Sequence, residues 1–440
     1  MVDVAQLVRA SDCGSEGRRF KPGLPPESPC KGAFSFSDLR VHRSSAFGAT
    51  PYFAAIGMHI LFIPKWYPGR SDPQLGDFLR KQAIAVGRFA KVSVLHVSPI
   101  PGLEKREVQE HSETDGIWEL RCMYRSSGIA NGSLRKLVNF PRYWRAAIKG
   151  FDRIVKERGM PDLNHVHILV RPAFLAWRLK QRHGIPFVIS EQSSEYLDGS
   201  FSRKSRLFKQ WSRFLFARAS AVIAVSKWLG DALVAHRLID RYEVVPNVIP
   251  GLDRPLPASG DPAHFMVVAD LVDRTKNVSG VINALAKAKG QIHDMLLSII
   301  GDGPDRKMLE ELARSHGLNG RVRFLGRLPN SAVLDHLATT GNVIINSNYE
   351  TFSVVTGEAL AQGRPVIATR CGGPIAFVTP ENGILIEKQD DDALSKAMIE
   401  LARRSDRDPG KIRASVSERF SYEAVGEAFM KIYERVLHAS

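Results

Sequence analysis

Residues 350–374 read ETFSVVTGEALAQGRPVIATRCGGP, and this stretch decides the fold more than any other part of the chain. It holds two carboxylates eight positions apart, Glu350 and Glu358, followed by Gly-Arg-Pro, an apolar run and Gly-Gly-Pro. The pattern predicts a short polar turn, a helix that opens near Val355, and then a strand. Because the first N–H groups of a helix have no partner within it, this turn is suited to hold an anion.

The residues around the two glutamates carry a family resemblance. Alone, the glutamates would say little, because acids in the first turns of a helix often only complement its dipole. Together with Phe352, Ala359-Leu-Ala361, Gly363 and Pro365, they form a pattern that resembles the nucleotide-sugar site of retaining GT-B glycosyltransferases of group 4. The resemblance covers about residues 58 to 440 and is more specific in the second half.

Length and composition indicate a globular protein of two domains. A chain of 440 residues exceeds what one hydrophobic core usually supports, and 44% hydrophobic with 24% charged residues fits a folded protein. No apolar run approaches the roughly 20 residues that span a bilayer. The four cysteines, at positions 13, 30, 122 and 371, show no metal-ligand spacing and favour a reducing cytosol over a disulfide framework.

The positive charge is concentrated in the first half. Residues 58–250 hold 31 Lys or Arg against 17 Asp or Glu, whereas residues 251–440 hold 23 against 24. Such a basic half is attracted to an anionic membrane surface, a lipid pyrophosphate or another polyanion. Nucleic acid is the competing partner, but no zinc-finger, RNP or helix-turn-helix signature supports it, so we predict none.

Residues 1–57 differ from the rest of the chain. They are rich in Ser, Gly, Pro and Arg, and this composition predicts disorder. The strings Ala5-Gln-Leu-Val-Arg-Ala-Ser-Asp12 and Gly17-Arg-Arg-Phe-Lys-Pro22 resemble the conceptual translation of a tRNA gene. We therefore predict a mis-called extension and a native start at Met58, where a strand-like run begins.

Apolar runs alternate with amphipathic stretches from Met58 onward, which favours βαβ units and parallel sheets. In the first half, strands are expected at 59–63, 91–97, 163–167, 186–190, 221–225 and 243–246, with a helix over 74–89. The second half repeats the alternation, with strands at 264–268, 295–300, 322–325, 342–346 and 365–368.

The domain organisation follows from this alternation and from the resemblance. The Pro-rich segment 251–260 is the expected linker. We expect an N-terminal Rossmann-like acceptor domain over 58–250, a C-terminal nucleotide-sugar domain over 251–420, and a final helix over 421–440 that packs back on the first domain. The resemblance implies an α/β GT-B fold, with two doubly wound domains facing across a cleft.

Two loops of the second half are candidates for donor binding. Gly301 and Gly303 follow an apolar strand, and glycines there permit a tight turn and close backbone approach to a ligand, although such loops are also common for structural reasons. The resemblance implies that Lys276 meets the donor diphosphate. The family places an Arg six residues before that Lys, where this chain has Asp270, and Arg274 is the candidate replacement.

The first half offers weaker candidates. Gly76 lies in the loop after the first strand, which the family uses near the diphosphate, although it also fits a simple helix start. Gln192 stands where many members present a His to the donor sugar, so hydrogen bonding is kept and a titratable group is lost. His165 and His167 are interpreted as structural residues.

Residues 201–218 place apolar side chains at helical spacing among Lys and Arg. The segment is either a basic amphipathic helix that rests on a membrane interface or a domain helix whose apolar stripe faces the core, the more common case.

The resemblance implies a retaining hexosyltransferase that moves a sugar from a nucleotide diphosphate sugar to a lipid-linked or growing glycan acceptor in surface polysaccharide biosynthesis. Glu350 and Lys276 would be catalytic, Glu358 would bind the ribose, and the backbone of Phe352, Ser353 and Val354 would approach the phosphate and sugar. The reaction would need no metal and no cofactor, in the cytoplasm or at the inner face of its membrane. A nucleotide-sugar 2-epimerase and an inactive GT-B scaffold or partner subunit, motivated by Asp270 and Gln192, are the alternatives.

Overall fold

The computed structural model describes residues 57–70, 72–292, 294–404 and 407–439. The predicted N-terminal extension therefore lies outside the described residues, apart from Gly57.

The first half forms a mixed sheet that is almost entirely parallel. Its strands are β1 (His59–Pro64), β2 (Lys91–Ile100), β3 (Glu107–Thr114), β4 (Ile117–Arg125), β5 (Leu163–His167), β6 (Phe187–Glu191), β7 (Ala221–Ala224) and β8 (Glu243–Val244). Within the described residues their order is β3-β4-β2-β1-β5-β6-β7-β8. Only the β3–β4 pair among them is antiparallel.

The helices of this half begin where local chemistry allows it. They are α1 (Asp77–Gly87), α2 (Gly132–Arg158), α3 (Arg171–His183), α4 (Arg206–Arg218) and α5 (Lys227–Ala235), with 3₁₀ turns at Ser194–Tyr196 and Phe201–Arg203. The helix expected from residue 74 begins at Asp77 because Gly76 has a φ of 70°. The helix expected from residue 201 begins at Arg206 because the Ser205 side chain caps it, accepting from the Phe208 N–H.

Five elements of this half were not predicted from the sequence: β3, β4, α2, α3 and α5. Strand β3 is an edge strand of sequence EVQEHSET. It is mostly polar, so it lacks the alternation of apolar and polar residues by which a strand is predicted. It joins β4 through Asp115 and Gly116, whose φ values of 56° and 78° are typical of a tight hairpin.

The second half repeats the architecture with a parallel sheet. Its strands are β9 (Asp261–Val268), β10 (Leu296–Ile300), β11 (Val322–Gly326), β12 (Thr340–Ile345), β13 (Val366–Thr369) and β14 (Gly383–Ile386), ordered β11-β10-β9-β12-β13-β14 in the described residues. Its helices are α6 (Asp273–Lys276), α7 (Val278–Ala288), α8 (Arg306–Ser315), α9 (Asn330–Thr339), α10 (Val354–Ala361), α11 (Asp391–Arg403), α12 (Pro409–Phe420) and α13 (Tyr422–His438), with a 3₁₀ turn at Gly373–Ala376.

Helices cover both faces of each sheet, so each half is doubly wound. One core lies between the first sheet and helices α1 and α13, another lies beneath α2, α3 and α4 and continues into the second half, and a third lies beneath α7, α8 and α11. The predicted α/β class is confirmed. In such sheets ligands bind outside the carboxyl ends of the strands, which places the site. The domain bounds 58–250, 251–420 and 421–440 remain our proposal.

Helix α13 ends the described chain but packs on the first half. Gly426 lies so close to α1 that an added Cβ would stand 2.5 Å from the Ala85 carbonyl oxygen. The Tyr433 hydroxyl is 2.6 Å from His165 Nδ1, and both side chains are fully buried. The hydrogen bond attaches α13 to strand β5, and burial lowers the pKa of His165 well below its usual value.

We expect Tyr433→Phe to weaken the attachment of α13. The substitution leaves a buried imidazole nitrogen without its partner, which costs about 1–3 kcal/mol of the free energy of unfolding. Urea denaturation followed by circular dichroism would measure this loss. Tyr422→Phe, in the same helix, is the matched control because the Tyr422 ring instead lies over the Arg88 guanidinium. Equal stability of the two variants would contradict the prediction.

Candidate active site

A cavity of about 360 Å³ opens at the carboxyl ends of β9 and β12. Second-half residues form most of its wall, and Phe78, from α1 of the first half, closes one side. The lining residues are Phe78, Val267, Val268, Ala269, Asp270, Lys276, Ile344, Ile345, Asn346, Ser347, Glu350, Ser353, Val354 and Val355. The cavity therefore lies between the halves of the chain.

Lys276 and Glu350 form an ion pair inside this cavity. The Lys276 Nζ is 2.6 Å from Glu350 Oε1, and the two side chains are 24% and 15% exposed. The Ser347 hydroxyl also donates to Glu350 Oε1, at 2.8 Å. Burial alone would lower the pKa of Lys276, but the charge of Glu350 and their hydrogen bond, with Asp270 nearby, raise it above its usual value. Lys276 thus presents a fixed positive charge.

The glycines of Gly372-Gly373 hold Glu350 in place. The Gly373 N–H donates to the Glu350 carbonyl oxygen at 2.9 Å, and the Glu350 N–H donates to the Cys371 carbonyl at 3.2 Å. A Cβ on Gly373 would stand 2.3 Å from the Phe352 carbonyl oxygen, and one on Gly372 would stand 2.5 Å from that of Glu350. Only residues without a side chain allow this approach.

Helix α10 begins at the cavity. Ser353, just before it, has a φ of 73°, which is uncommon for a residue with a side chain. Its hydroxyl is 2.7 Å from that of Thr356. Ser353, Val354 and Val355 line the cavity, so the N–H groups of the first helical turn are positioned to meet an anion there.

The side chain of Phe352 points away from the cavity. It is 4% exposed and packs against Phe377 and Phe420, with ring centroids 4.8 and 5.8 Å away. Phe352 therefore anchors the turn, and only its backbone is near the site.

Glu358 lies on α10 but is not among the residues that line the cavity. It is 3% exposed, and Asn330 Nδ2 donates to its Oε1 at 2.7 Å. Burial raises the pKa of Glu358, while the Asn330 hydrogen bond and the charge of Lys81 act in the opposite direction.

The glycine loop beside the cavity has a clear packing role. A Cβ on Gly301 would stand 1.8 Å from the Ala269 carbonyl oxygen, and one on Gly303 would stand 2.5 Å from that of Leu271. The loop thus supports Ala269 and Asp270, which line the cavity. Arg274 is exposed and does not line it, although its carbonyl accepts from Asn348 Nδ2.

The first-half candidates lie close to the site without lining it. An added Cβ on Gly76 would stand 2.6 Å from the Trp66 carbonyl oxygen, so this glycine sets where α1 starts and where Phe78 lies. Gln192 is 7% exposed, and its Nε2 donates to Gln82 Oε1 at 3.2 Å. The structure therefore turns Gln192 toward α1.

The residues of the site that were missed from the sequence include Phe78, Lys81, Asn330 and Ser347. None of them belongs to a motif that the sequence analysis singled out. Phe78 and Lys81 lie in the first half of the chain, far in sequence from the residues they meet. The helical spacing of Phe78 and Lys81 after Gly76 was the only available signal. In the part of the chain that the structure describes, no group of three or more His, Cys, Asp and Glu residues is arranged to hold a metal.

Family comparisons match both halves of the chain. Residues 252–419 match the family model described as glycosyl transferases group 1, and residues 86–248 match the glycosyl transferase 4-like domain. A lipopolysaccharide core biosynthesis glycosyltransferase of Rhizobium meliloti is 31% identical over 202 residues, which cover 44% of this chain and 57% of that relative. The match thus spans little more than half of the relative's length.

Solved structures show the same fold. Sucrose-phosphate synthase from Thermosynechococcus elongatus matches with a TM-score of 0.64 at 18% identity, over 87% of this chain and all of that one. HepE from Anabaena, in complex with UDP and glucose, matches with a TM-score of 0.62 at 18% identity, over 86% of this chain and all of that one. The predicted GT-B architecture, with two α/β units facing across a cleft, is confirmed.

The Lys276–Glu350 pair should behave as a coupled unit in stability. Lys276→Met and Glu350→Gln should each lower the melting temperature, because each leaves one charge without its partner in a mostly buried site. The double variant should recover part of the loss, with a coupling energy of about 1–3 kcal/mol in a double-mutant cycle. The measurement is thermal denaturation of the four proteins.

The exposed pair Lys287–Asp392 is the control for this cycle. Exposed ion pairs contribute little, so the cycle of Lys287→Met and Asp392→Asn should show no measurable coupling. Fully additive losses at Lys276 and Glu350 would show that the pair is not a unit.

Proposed function

The chain belongs to the group 1, or GT4, glycosyltransferases, and from this premise we propose that it is a retaining hexosyltransferase that uses a nucleotide diphosphate sugar. The observation that carries the proposal is the Lys276–Glu350 pair beside the start of α10, in a cavity between the two domains. A cation and a row of backbone N–H groups facing one cavity form an anion site that suits a diphosphate.

The residues around the cavity are placed to stabilise the charge that develops during sugar transfer. When the bond between the anomeric carbon and the diphosphate breaks, negative charge grows on the leaving phosphate. Lys276, Ser353 and Val354 line the cavity, so the ammonium group and the backbone N–H groups are placed to stabilise that charge. Glu350 then faces the sugar, and its position is fixed by Ser347 and by Gly373. We assign Glu350 no covalent role.

We propose further donor contacts around the Lys276–Glu350 pair. Glu358 binds the ribose through its carboxylate, and Gly301 and Gly303 let the loop approach the nucleotide. Gly76 and Gln192 act indirectly, through the position of α1. Arg274 supplies further positive charge from the exposed side of α6. The presence of UDP in the HepE structure supports a nucleoside diphosphate ligand for this architecture.

We propose a lipid-linked or growing glycan as the acceptor, in surface polysaccharide assembly at the inner face of the cytoplasmic membrane. The relative from Rhizobium meliloti, which is described as a lipopolysaccharide core glycosyltransferase, supports this acceptor class. The charge of the first domain supports it as well, because its excess of cations suits an anionic surface. None of the described helices is both long enough and apolar enough to span a bilayer.

Helices α2, α3 and α4 provide the surface for such a contact. Helix α4 buries Phe208 and Leu215 in the core, as the core interpretation predicted. A second stripe joins the neighbouring helices in a half-buried cluster, the aromatic face, which comprises Phe140, Trp144, Phe174, Trp177, Trp211 and Phe214. Neighbouring rings of this face have centroids 5.1 to 6.3 Å apart.

Cations surround the aromatic face, and two of its three helices carry no acid. Helices α3 and α4 together carry no Asp or Glu, and their cations are Arg171, Arg178, Lys180, Arg182, Arg206, Lys209, Arg213 and Arg218. The Arg178 guanidinium is 5.8 Å from the Trp177 ring centre, and that of Arg218 is 5.0 Å from that of Phe214. Amphipathic rings beside cations match the interface of an anionic bilayer.

A ligand screen would test the donor site first. Because a ligand that binds only the folded state raises its apparent stability, one of UDP, GDP or ADP, or its sugar conjugate, should raise the melting temperature. The shift should disappear in Glu358→Ala. Binding without transfer or donor hydrolysis across a broad donor panel would favour the inactive scaffold, and interconversion of free nucleotide sugars would favour the epimerase.

Kinetics should separate the two glutamates. Glu358→Ala should raise the donor KM about tenfold or more with a small change in kcat, because it removes a binding contact. Glu350→Ala should chiefly lower kcat, by about 10²-fold, because the contact matters most at the reacting sugar. Wild-type kinetics in both variants would refute the site assignment.

Vesicle sedimentation would test the membrane contact. The variant R178Q/R206Q/R218Q should bind vesicles with phosphatidylglycerol more weakly, since each cation near an anionic surface contributes about 1 kcal/mol. The control K307Q/R314Q/R323Q removes three exposed cations from the second half and should bind like wild type. Equal sedimentation of the two variants would count against this surface.

A further inference from the structure

We infer that Asn330 and Lys81 are positioning residues for Glu358, so that the first domain completes the donor site of the second. This inference rests on the proposed function, in which the Glu358 carboxylate binds the donor. It adds a chain of contacts between the two domains, from Lys81 through Asn330 to Glu358. Both residues then affect how tightly and how specifically the donor is bound.

The contact between Asn330 and Glu358 fixes the carboxylate. Asn330 is the first residue of α9, and its Nδ2 donates to Glu358 Oε1 at 2.7 Å. Because Glu358 is 3% exposed, few water molecules compete with this hydrogen bond. A carboxylate held at one oxygen keeps its rotamer and leaves the other oxygen to accept from a ligand hydroxyl.

Lys81 holds the other end of the same amide. Its Nζ is 3.4 Å from Asn330 Oδ1, and it also forms an ion pair with Asp77, one turn earlier in α1. An amide accepts with its oxygen and donates with its nitrogen, so Asn330 can link an ammonium group to a carboxylate. Neither Asp nor Leu at position 330 could do both.

The charges agree with this arrangement. Burial raises the pKa of Glu358 above its usual value, and the Asn330 hydrogen bond and the positive charge of Lys81 offset part of that rise. Both partners therefore favour the ionised carboxylate, which is the form that accepts two hydroxyl groups. Asp77 acts in the opposite direction but is itself paired with Lys81.

The contact between Lys81 and Asn330 crosses from the first domain to the second, so it requires the two domains to lie against each other. Residues just before α1 contact residues just before α9 on the same side of the cleft. Arg327 Nη2 is 2.8 Å from Asp72 Oδ1, and Gln74 Nε2 donates to the Leu328 carbonyl at 2.5 Å. The relay from Lys81 through Asn330 to Glu358 therefore depends on this interdomain contact, which couples donor affinity to the contact.

Isothermal titration with UDP, GDP and ADP would test the inference. For whichever nucleotide binds wild-type protein, Asn330→Leu should weaken binding about tenfold, as expected for a lost hydrogen bond to a charged group. Lys81→Met should weaken it in the same direction. In steady-state assays both variants should raise the donor KM and leave kcat nearly unchanged.

A second background distinguishes positioning from a general structural effect. In Glu358→Gln protein, Asn330→Leu should have much less effect on binding, because the group through which it acts is already altered. Asp335→Ala, also on α9 but exposed, and Lys287→Met, on the outer side of α7, are the matched controls and should bind like wild type.

The outcomes separate this inference from the proposed function. If none of the three nucleotides binds wild-type protein, or if Glu358→Gln binds as well as wild type, the donor site itself is wrong. If Glu358→Gln weakens binding but Asn330→Leu and Lys81→Met do not, only the inference is overturned. An equal loss from Asn330→Leu in both backgrounds would also overturn it. If Asn330→Leu folds poorly, the titration of Lys81→Met tests the inference by itself, because that variant keeps both Asn330 and Glu358.

Discussion

The close approach of two backbone segments, Glu350–Phe352 and Gly372–Gly373, is the constraint on which the site depends. A side chain at either glycine would collide with a carbonyl oxygen of the turn. With both glycines, the turn pairs with the segment that follows β13, Glu350 faces Lys276, and α10 starts at the cavity. The same constraint explains why a Gly-Gly-Pro accompanies two glutamates in the sequence.

The first domain contributes to the site through helix α1. Gly76 sets the start of α1, Phe78 closes the cavity, and Lys81 contacts Asn330. The chain's last helix, α13, supports α1 from behind, with Gly426 against the Ala85 carbonyl. A segment at the end of the sequence thus stabilises a wall of a site whose charged residues lie in the second half. The packing of α13 therefore links the stability of the fold to the position of this cavity wall.

Charged residues are arranged differently in the two domains. In the second domain the ionic groups of the site are paired and partly buried, so each residue has a defined partner and orientation. On the outer helices of the first domain, cations surround half-buried rings instead. The first arrangement suits recognition of one small anion, and the second suits a broad anionic surface.

The sequence by itself determined the α/β class, the two repeated halves and the family, because strand and helix periodicity and the motif at 350–374 are local patterns. It also indicated Lys276 and Glu350, whose ion pair the structure shows. Only the tertiary structure decided that Phe352 serves the core, that Gln192 turns toward α1, and that Arg274 stays outside the cavity. It alone revealed β3, α2 and the hydrogen bonds that join Lys81, Asn330 and Glu358. These features depend on contacts between residues as many as 249 positions apart, and no local pattern specifies which distant side chain fills a given space.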